Sequence, residues 1–336
     1  MDKFEKKSMR ELKRMPVDEL SAYYRALRKY NYENNIPVKG LKRRKVTKKV
    51  LRLIIKYGLN RLSHRKVKVI NDESTKTENP RIYAYTHFCR YDIETMAEVI
   101  KESAYFLWGD PGKLYVQPAG KIVKELGAVF VDTDDKMDRH IGEKTAIEIL
   151  KRKGNIIITP EGAWLMSPYK IVGKLYSGAI RMALEANADI IPVAIDKKGN
   201  NYYVNIGKNI KATEWDKDNL RSGAEKLREK MATLKWNIWE HLENDEKYWV
   251  RKQLPDNYLA IQEMYENEIM SELEEDDNYS LEAIEQTRYK DKNETEREDA
   301  FSFMPNLKIN EKNAFLFKNM SAVDRQVQAK VLKRTK

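Results

Sequence analysis

His87 and Asp92 stand five positions apart in Thr86-His87-Phe88-Cys89-Arg90-Tyr91-Asp92, between the apolar run Ile82-Tyr83-Ala84-Tyr85 and a stretch that reads as helix. An imidazole and a carboxylate can together move one proton: the acid fixes the ring's tautomer through Nδ1 and leaves Nε2 as the base. Spacing decides which local structure permits this. Inside one helix, five steps of about 100° would leave the two side chains about 140° apart. If His87 ends a strand and Asp92 lies in the first turn of the following helix, the chain reverses between them and the side chains can meet. A lone pair of this kind is weak evidence, because most such residues are surface or capping groups.

Three further blocks strengthen it. Gly127-Ala128-Val129-Phe130-Val131-Asp132 and Ile156-Ile157-Ile158-Thr159-Pro160-Glu161-Gly162 are short β-branched or aromatic runs that end in polar turns. Asp189-Ile190-Ile191-Pro192-Val193-Ala194-Ile195 reads as a buried strand whose proline calls for an edge or a bulge. In this order the four blocks resemble the glycerolipid acyltransferase superfamily over roughly residues 65 to 200. His87 and Asp92 match its His-x-x-x-x-Asp motif, Gly127 to Asp132 its Gly-x-x-Phe-x-Asp block, and Pro160-Glu161-Gly162 its Pro-Glu-Gly block. The Ile-Pro-Val-Ala run matches its last, apolar block.

The resemblance implies acyl transfer from a thioester to a lipid hydroxyl, with His87 as base and Asp92 as its orienter. One base suffices for that reaction, because a thiol of pKa about 8.5 leaves unaided whereas an alcohol must lose its proton. The amides of the helix starting near Cys89 are the expected donors to the oxyanion. Gly127, Thr133, Glu161 and Gly162 are expected to shape acceptor binding. Two positions depart from the pattern: Thr133 and Trp164 stand where the family carries arginines thought to hold the acceptor's phosphate. Either Lys136, Arg139, Lys170 or Lys174 substitutes, or the acceptor lacks a phosphomonoester, for example a lysophospholipid with a larger head group, a glycolipid or another membrane alcohol. Cys89, the only cysteine, occupies a slot that is usually serine in the family. It is read either as a nucleophile forming an acyl-cysteine or, in the preferred reading, as a small residue packed at the helix start.

Charge is unevenly placed. Residues 1 to 70 hold 22 Lys and Arg against 6 Asp and Glu, residues 243 to 299 hold 7 against 19, and residues 71 to 242 are nearly neutral. Within the basic region, Val46, Val50, Leu53, Ile54 and Tyr57 fall at helical spacing among Lys42, Arg43, Arg44, Lys45, Lys48, Lys49, Arg52, Lys56 and Arg61. Such a basic amphipathic helix either docks on an anionic membrane surface or packs its apolar face on the protein itself. Basic residues interleaved with Tyr23, Tyr24, Tyr30 and Tyr32 leave nucleic-acid binding as the alternative function, although no nucleic-acid-binding motif accompanies them. A single cysteine allows no internal disulfide, and no apolar run approaches the roughly 18 residues of a membrane span. His64, His87, His140 and His241 are scattered, so no metal site is expected.

The expected architecture is α/β: a mixed, largely parallel sheet of about six or seven strands flanked by helices. Basic amphipathic helices precede it and a mostly helical extension follows. Residues 1–65 form the basic membrane-association region, 66–242 the acyltransferase domain, and 243–336 a charged extension that is helical or partly disordered, with helical pieces at Tyr258 to Glu274 and Ser321 to Lys333. Strands are expected at Val67 to Ile70, Ala104 to Trp108, Ala128 to Asp132 and Asn155 to Thr159, with a hairpin joining Asp189–Ile195 to Tyr202–Ile206. Helices are expected at Val17 to Tyr30, Lys113 to Leu126, Arg139 to Lys153, Leu175 to Asn187 and Leu220 to His241. The reading is a cytoplasmic, peripherally membrane-associated O-acyltransferase with no bound cofactor. Its expected partners are acyl-CoA or acyl-carrier protein as co-substrate, a lysophospholipid or related glycerolipid as acceptor and an anionic membrane surface, with no nucleic acid.

Overall fold

The apolar runs become the centre of a seven-stranded sheet in the computed structural model, which describes residues 4–38, 41, 50, 52–87, 91–133, 135–162, 171–198 and 200–242. The strands are β1 (Lys66–Asp72), β2 (Arg81–Tyr85), β3 (Ala104–Trp108), β4 (Ala128–Phe130), β5 (Asn155–Ile158), β6 (Asp189–Lys198) and β7 (Asn201–Ile206). Their order across the sheet is β1-β7-β6-β2-β5-β3-β4. The five strands from β6 to β4 run parallel, β7 turns back antiparallel to β6, and β1 runs parallel to β7. β2 is buried along its whole length because it has strands on both edges and helices on both faces, and its sequence is accordingly a continuous apolar run after Arg81.

Alternation along each strand divides the core in two. Ile82, Ala84, Tyr105, Ile156 and Ile190 face a cluster with the helices Lys136–Lys151, Gly178–Ala186 and Leu220–His241. Tyr83, Tyr85, Phe106, Ile157 and Ile191 face the other side with Met96, Ile100, Val123 and Leu126. The connection from β2 goes towards β3 on one side of β5, and the connection from β5 goes to β6 beyond β2 on the other. The chain therefore leaves the carboxyl ends of the neighbouring strands β2 and β5 in opposite directions. In open parallel α/β sheets, ligands bind outside the carboxyl ends of the strands at such a point.

Two expectations about local structure are corrected. The helix expected over Lys113 to Leu126 is broken: a 3-10 turn spans Gly112–Val116 and an α-helix spans Pro118–Leu126. Pro118 has no amide to continue the first piece but fits the opening turn of the second. Pro192 marks no sheet edge, for β6 pairs with β2 on one side and β7 on the other. The ladder to β7 begins at Val193↔Ile206, so the missing proline amide falls just beyond it, while Gly207 N donates to Pro192 O at 2.9 Å. The expected hairpin forms, closing at Lys198↔Asn201.

The N-terminal helix Val17–Glu33 lies against the helix Lys136–Lys151 and the turn Gly112–Val116. It is preceded by the short helix Met9–Arg14, opened by a reciprocal cap in which Ser8 N donates to Glu11 Oε2 at 2.7 Å and Glu11 N donates to Ser8 Oγ. Of the basic amphipathic segment, residues 42–49 and 51 lie outside the described residues, as do the two helical pieces expected beyond residue 243. Its described end carries Val50, Leu53, Ile54, Tyr57 and Leu62 at or above half exposure, while Ile55 is buried. Among the described residues no helix is long and apolar enough to cross a membrane.

Candidate active site

Thr86 carries β2 past its last ladder residue. Its backbone N donates to Val193 O at 3.2 Å, and its hydroxyl accepts from Ile195 N at 2.9 Å and donates to Ile195 O. These bonds to β6 fix where His87 emerges at the carboxyl edge of the sheet. Asp92 opens the helix Asp92–Val99 and is fully buried. Its Oδ2 lies 3.0 Å from His87 Nδ1, and the His87 side chain keeps 19% exposure. The strand–turn–helix junction thus brings together two groups that a single helix would have separated. With Nδ1 held by an acceptor, the ring's basic nitrogen is Nε2.

The turn after β5 reaches the same place from the neighbouring strand. Glu161 is 6% exposed, with Oε1 accepting from His87 N at 3.0 Å and Oε2 accepting from Gly173 N at 2.7 Å. Glu161 therefore ties the His87 turn to the loop that follows its own. Burial pushes its carboxyl above the ordinary range, and the charge of Lys235 and the two amide bonds pull in the opposite direction. Gly162 has φ 69°, a left-handed conformation that favours glycine, and a Cβ there would meet the Tyr176 ring at 2.7 Å.

The Gly127–Thr133 segment sits apart from this group. Gly127 (φ 107°) ends the helix Pro118–Leu126 at the amino end of β4, the edge of the sheet opposite His87. Thr133 is exposed beyond the carboxyl end of β4, two strands further from β2 than β5 is, and its carbonyl accepts from Arg139 Nη1. Asp132 N donates to Asp138 Oδ2 at 2.6 Å, and the Asp132 carboxylate pairs with Arg25 of the helix Val17–Glu33. From the same helix, Arg28 forks onto the fully buried side chain of Asp138, with Nε–Oδ1 2.8 Å and Nη2–Oδ2 2.7 Å, and donates to Tyr115 Oη at 2.6 Å. Tyr24 stacks on Tyr115 at 3.9 Å. Of the lysines weighed as substitutes, Lys136 is exposed at the start of its helix, and Lys170, like Cys89 and Trp164, lies outside the described residues. Among the described residues no group of three His, Cys, Asp or Glu could hold a metal ion.

Residues 66–196 match the family pattern described as Acyltransferase. The match makes residues 66–196 an acyltransferase domain. His87, Asp92, Glu161 and the last apolar block all fall inside this acyltransferase domain. Among solved structures, the chain is similar to the 1-acyl-sn-glycerophosphate (LPA) acyltransferase PlsC from Thermotoga maritima. The identity is 18%, with 65% of this chain and 92% of that chain covered and a TM-score of 0.46. No match was found among curated proteins.

Arg25, Arg28 and Lys235 lie outside the acyltransferase domain, and sequence reading overlooked all three. The arginines gave no local signal, since Arg25 and Arg28 meet carboxylates 107 and 110 positions away. Lys235 did give one. It lies four residues after Met231 and four before Trp239, in the row Leu227, Met231, Lys235, Trp239 that the helix Leu220–His241 turns to the core. A charge in an apolar stripe is a buried charge that needs a partner.

Proposed function

We propose that this protein is an O-acyltransferase that moves a fatty acyl chain from acyl-CoA or acyl-carrier protein to the hydroxyl of a lysophospholipid or related glycerolipid. The reading rests on one observation: an imidazole at the carboxyl edge of the sheet has its Nδ1 3.0 Å from a fully buried carboxylate. In the proposed reaction, His87 Nε2 takes the proton of the acceptor hydroxyl as its oxygen attacks the thioester carbonyl. The C–O bond forms, the carbonyl becomes an oxyanion, and its collapse breaks the C–S bond. The imidazolium then returns the proton to the departing thiolate. Asp92 stabilises the imidazolium between these steps, and the opening turn of the helix Asp92–Val99 is assigned the oxyanion.

Glu161 holds the backbone of His87 in place. The exposed Val50, Leu53, Ile54, Tyr57 and Leu62, with Lys56 and Arg61 among them, support contact with an anionic membrane on the cytoplasmic side. The tyrosines that nucleic-acid binding would use for stacking pack on the chain itself: Tyr23 and Tyr30 on Phe4, Tyr24 on Tyr115, Tyr32 on His140.

The test is an assay of purified protein with radiolabelled acyl-CoA and acyl-carrier protein against a panel of lysolipids, beside His87→Ala. Labelled diacyl product from the wild type and none from the variant is expected. Equal product from both would refute the base assigned here.

A further inference from the structure

The amino ends of β2, β5 and β3, at the edge of the sheet opposite His87, border a cleft of about 670 Å³. At about 3.3 Å per residue, the run from Arg81 to His87 separates this cleft from the imidazole by about 20 Å. Arg52, Arg81, Lys101, Arg152 and Lys153 line it, and the carboxylates among them are those of Glu78 and Glu102. Glu102 is held within the wall, accepting from Arg81 Nη1 at 2.9 Å, from Tyr83 Oη at 3.2 Å and from Asn155 Nδ2 at 3.2 Å. Arg152 pairs with Glu148 at 2.8 Å. Arg52, Lys101 and Lys153 form no ion pair among the described residues: Arg52 Nε donates to Glu98 O at 2.7 Å and Lys153 Nζ to Glu78 O at 3.1 Å, both neutral carbonyls. Cations gathered in one cleft make a positive field that a phosphate would neutralise. Lys153 also holds φ 59° just past the helix Lys136–Lys151, a conformation that at a helix end usually falls to glycine.

The opposite wall points to a lipid and not a soluble anion. Arg52 and Leu53 line the cleft, and Leu53 is 56% exposed, in a row with the exposed Val50, Ile54 and Tyr57. The same segment follows the helix Asp92–Val99 back towards the catalytic turn: Arg52 and Asn60 meet Glu98 at the end of that helix, and Arg65 lies over the Tyr91 ring at its start, 3.8 Å from the centroid. The exposed Leu53, Ile54, Tyr57 and Leu62 thus fall on the path from the cleft to the catalytic turn, so one membrane surface can touch both. We propose that the cleft binds the phosphate of an anionic phospholipid head group, with Leu53 and its exposed neighbours against the acyl region, as a lipid site separate from the catalytic one. It rests on the membrane contact proposed above and is independent of the reaction assigned to His87.

Two measurements test the site. Lys153→Gly removes a charge and supplies the residue its φ favours, and Lys101→Gln removes a second charge from an exposed position, so the double variant should fold as the wild type does. In flotation with phosphatidylcholine vesicles containing phosphatidylglycerol it should partition roughly 25-fold more weakly, about fivefold for each charge lost. Lys217→Gln with Lys226→Gln removes as much charge from exposed positions outside the cleft and should weaken partitioning far less, because charges beyond a Debye length of the surface are screened. Selective 15N-glycine labelling then localises the lipid. Short-chain phosphatidylglycerol below its micelle concentration should shift the Gly154 amide in the cleft, and short-chain phosphatidylcholine should not. Equal losses in the cleft and control variants would overturn the site and leave the membrane contact standing. So would a Gly154 signal that stays while that of Gly162, beside the His87 turn, moves, or a response to glycerol phosphate alone as large as to the lipid. A wild type that ignores anionic vesicles would refute the membrane contact and the site together.

Discussion

The turns that follow β2 and β5 and the turn that follows β4 leave the same edge of the sheet, yet their carboxylates are held in opposite ways. Around His87, Glu161 accepts from two backbone amides and Asp92 from an imidazole, all within the acyltransferase domain. Around Thr133, Asp132 and Asp138 are held by guanidinium groups from the N-terminal helix, outside it. Amide bonds from the chain's own turns fix geometry to the backbone, which suits a group that must meet a reacting atom. Arginine forks join two separate segments and suit a docking joint. The helix Val17–Glu33 is therefore joined to the acyltransferase domain through these arginines.

This contrast can be tested from its strongest consequence downwards. His87→Ala should lower kcat by ~10²–10⁴-fold, the usual worth of a positioned base, while circular dichroism and melting stay close to wild type. Arg28→Ala should act the other way round. It leaves Asp138 fully buried without its cation, so about 3–5 kcal/mol of stability should be lost in denaturant titration. Arg25→Ala removes a pair whose arginine side chain is 39% exposed and should cost less than about 1 kcal/mol. A larger loss for Arg25 than for Arg28 would reverse the account of the joint. Gly162→Ala should cost about 1–3 kcal/mol, because alanine must adopt φ 69° and push against Tyr176.

The smallest effect concerns pH. Burial holds the Glu161 carboxyl above the ordinary glutamate range, so the folded state binds its proton more tightly than the unfolded chain. The stabilisation this gives is complete below the unfolded value and is lost as pH rises through the folded one. In Glu161→Gln, the fall in stability with rising pH above about 4.5 should be shallower in urea titrations at stepped pH. An unchanged slope would show that Glu161 titrates as an ordinary glutamate.

How much of this was legible in the chain differs element by element. The runs Ile82–Tyr85, Ile156–Ile158 and Ile190–Ile195 announced buried parallel strands, because a strand covered on both faces has no polar side to show. The spacing of His87 and Asp92 called for the junction that is found. The break at Pro118 was written in the chain and read over, since the apolar period continues across it. Pro192 misled for a different reason: the cost of a missing amide depends on which neighbour it faces, and that neighbour ends one residue away.

What the sequence determined by itself was therefore local: strand and helix periodicity, the turn that lets an imidazole meet an acid five residues on, and the order of the family's blocks. Only the tertiary structure decided that Glu161 turns inward to the His87 amide, that Lys235 is buried, and that Arg25 and Arg28 close the turn after β4. Backbone periodicity is set by neighbours within a few residues, so it can be read along the chain. Charge pairing in a core is set by distance in space, and here it joins residues about a hundred positions apart.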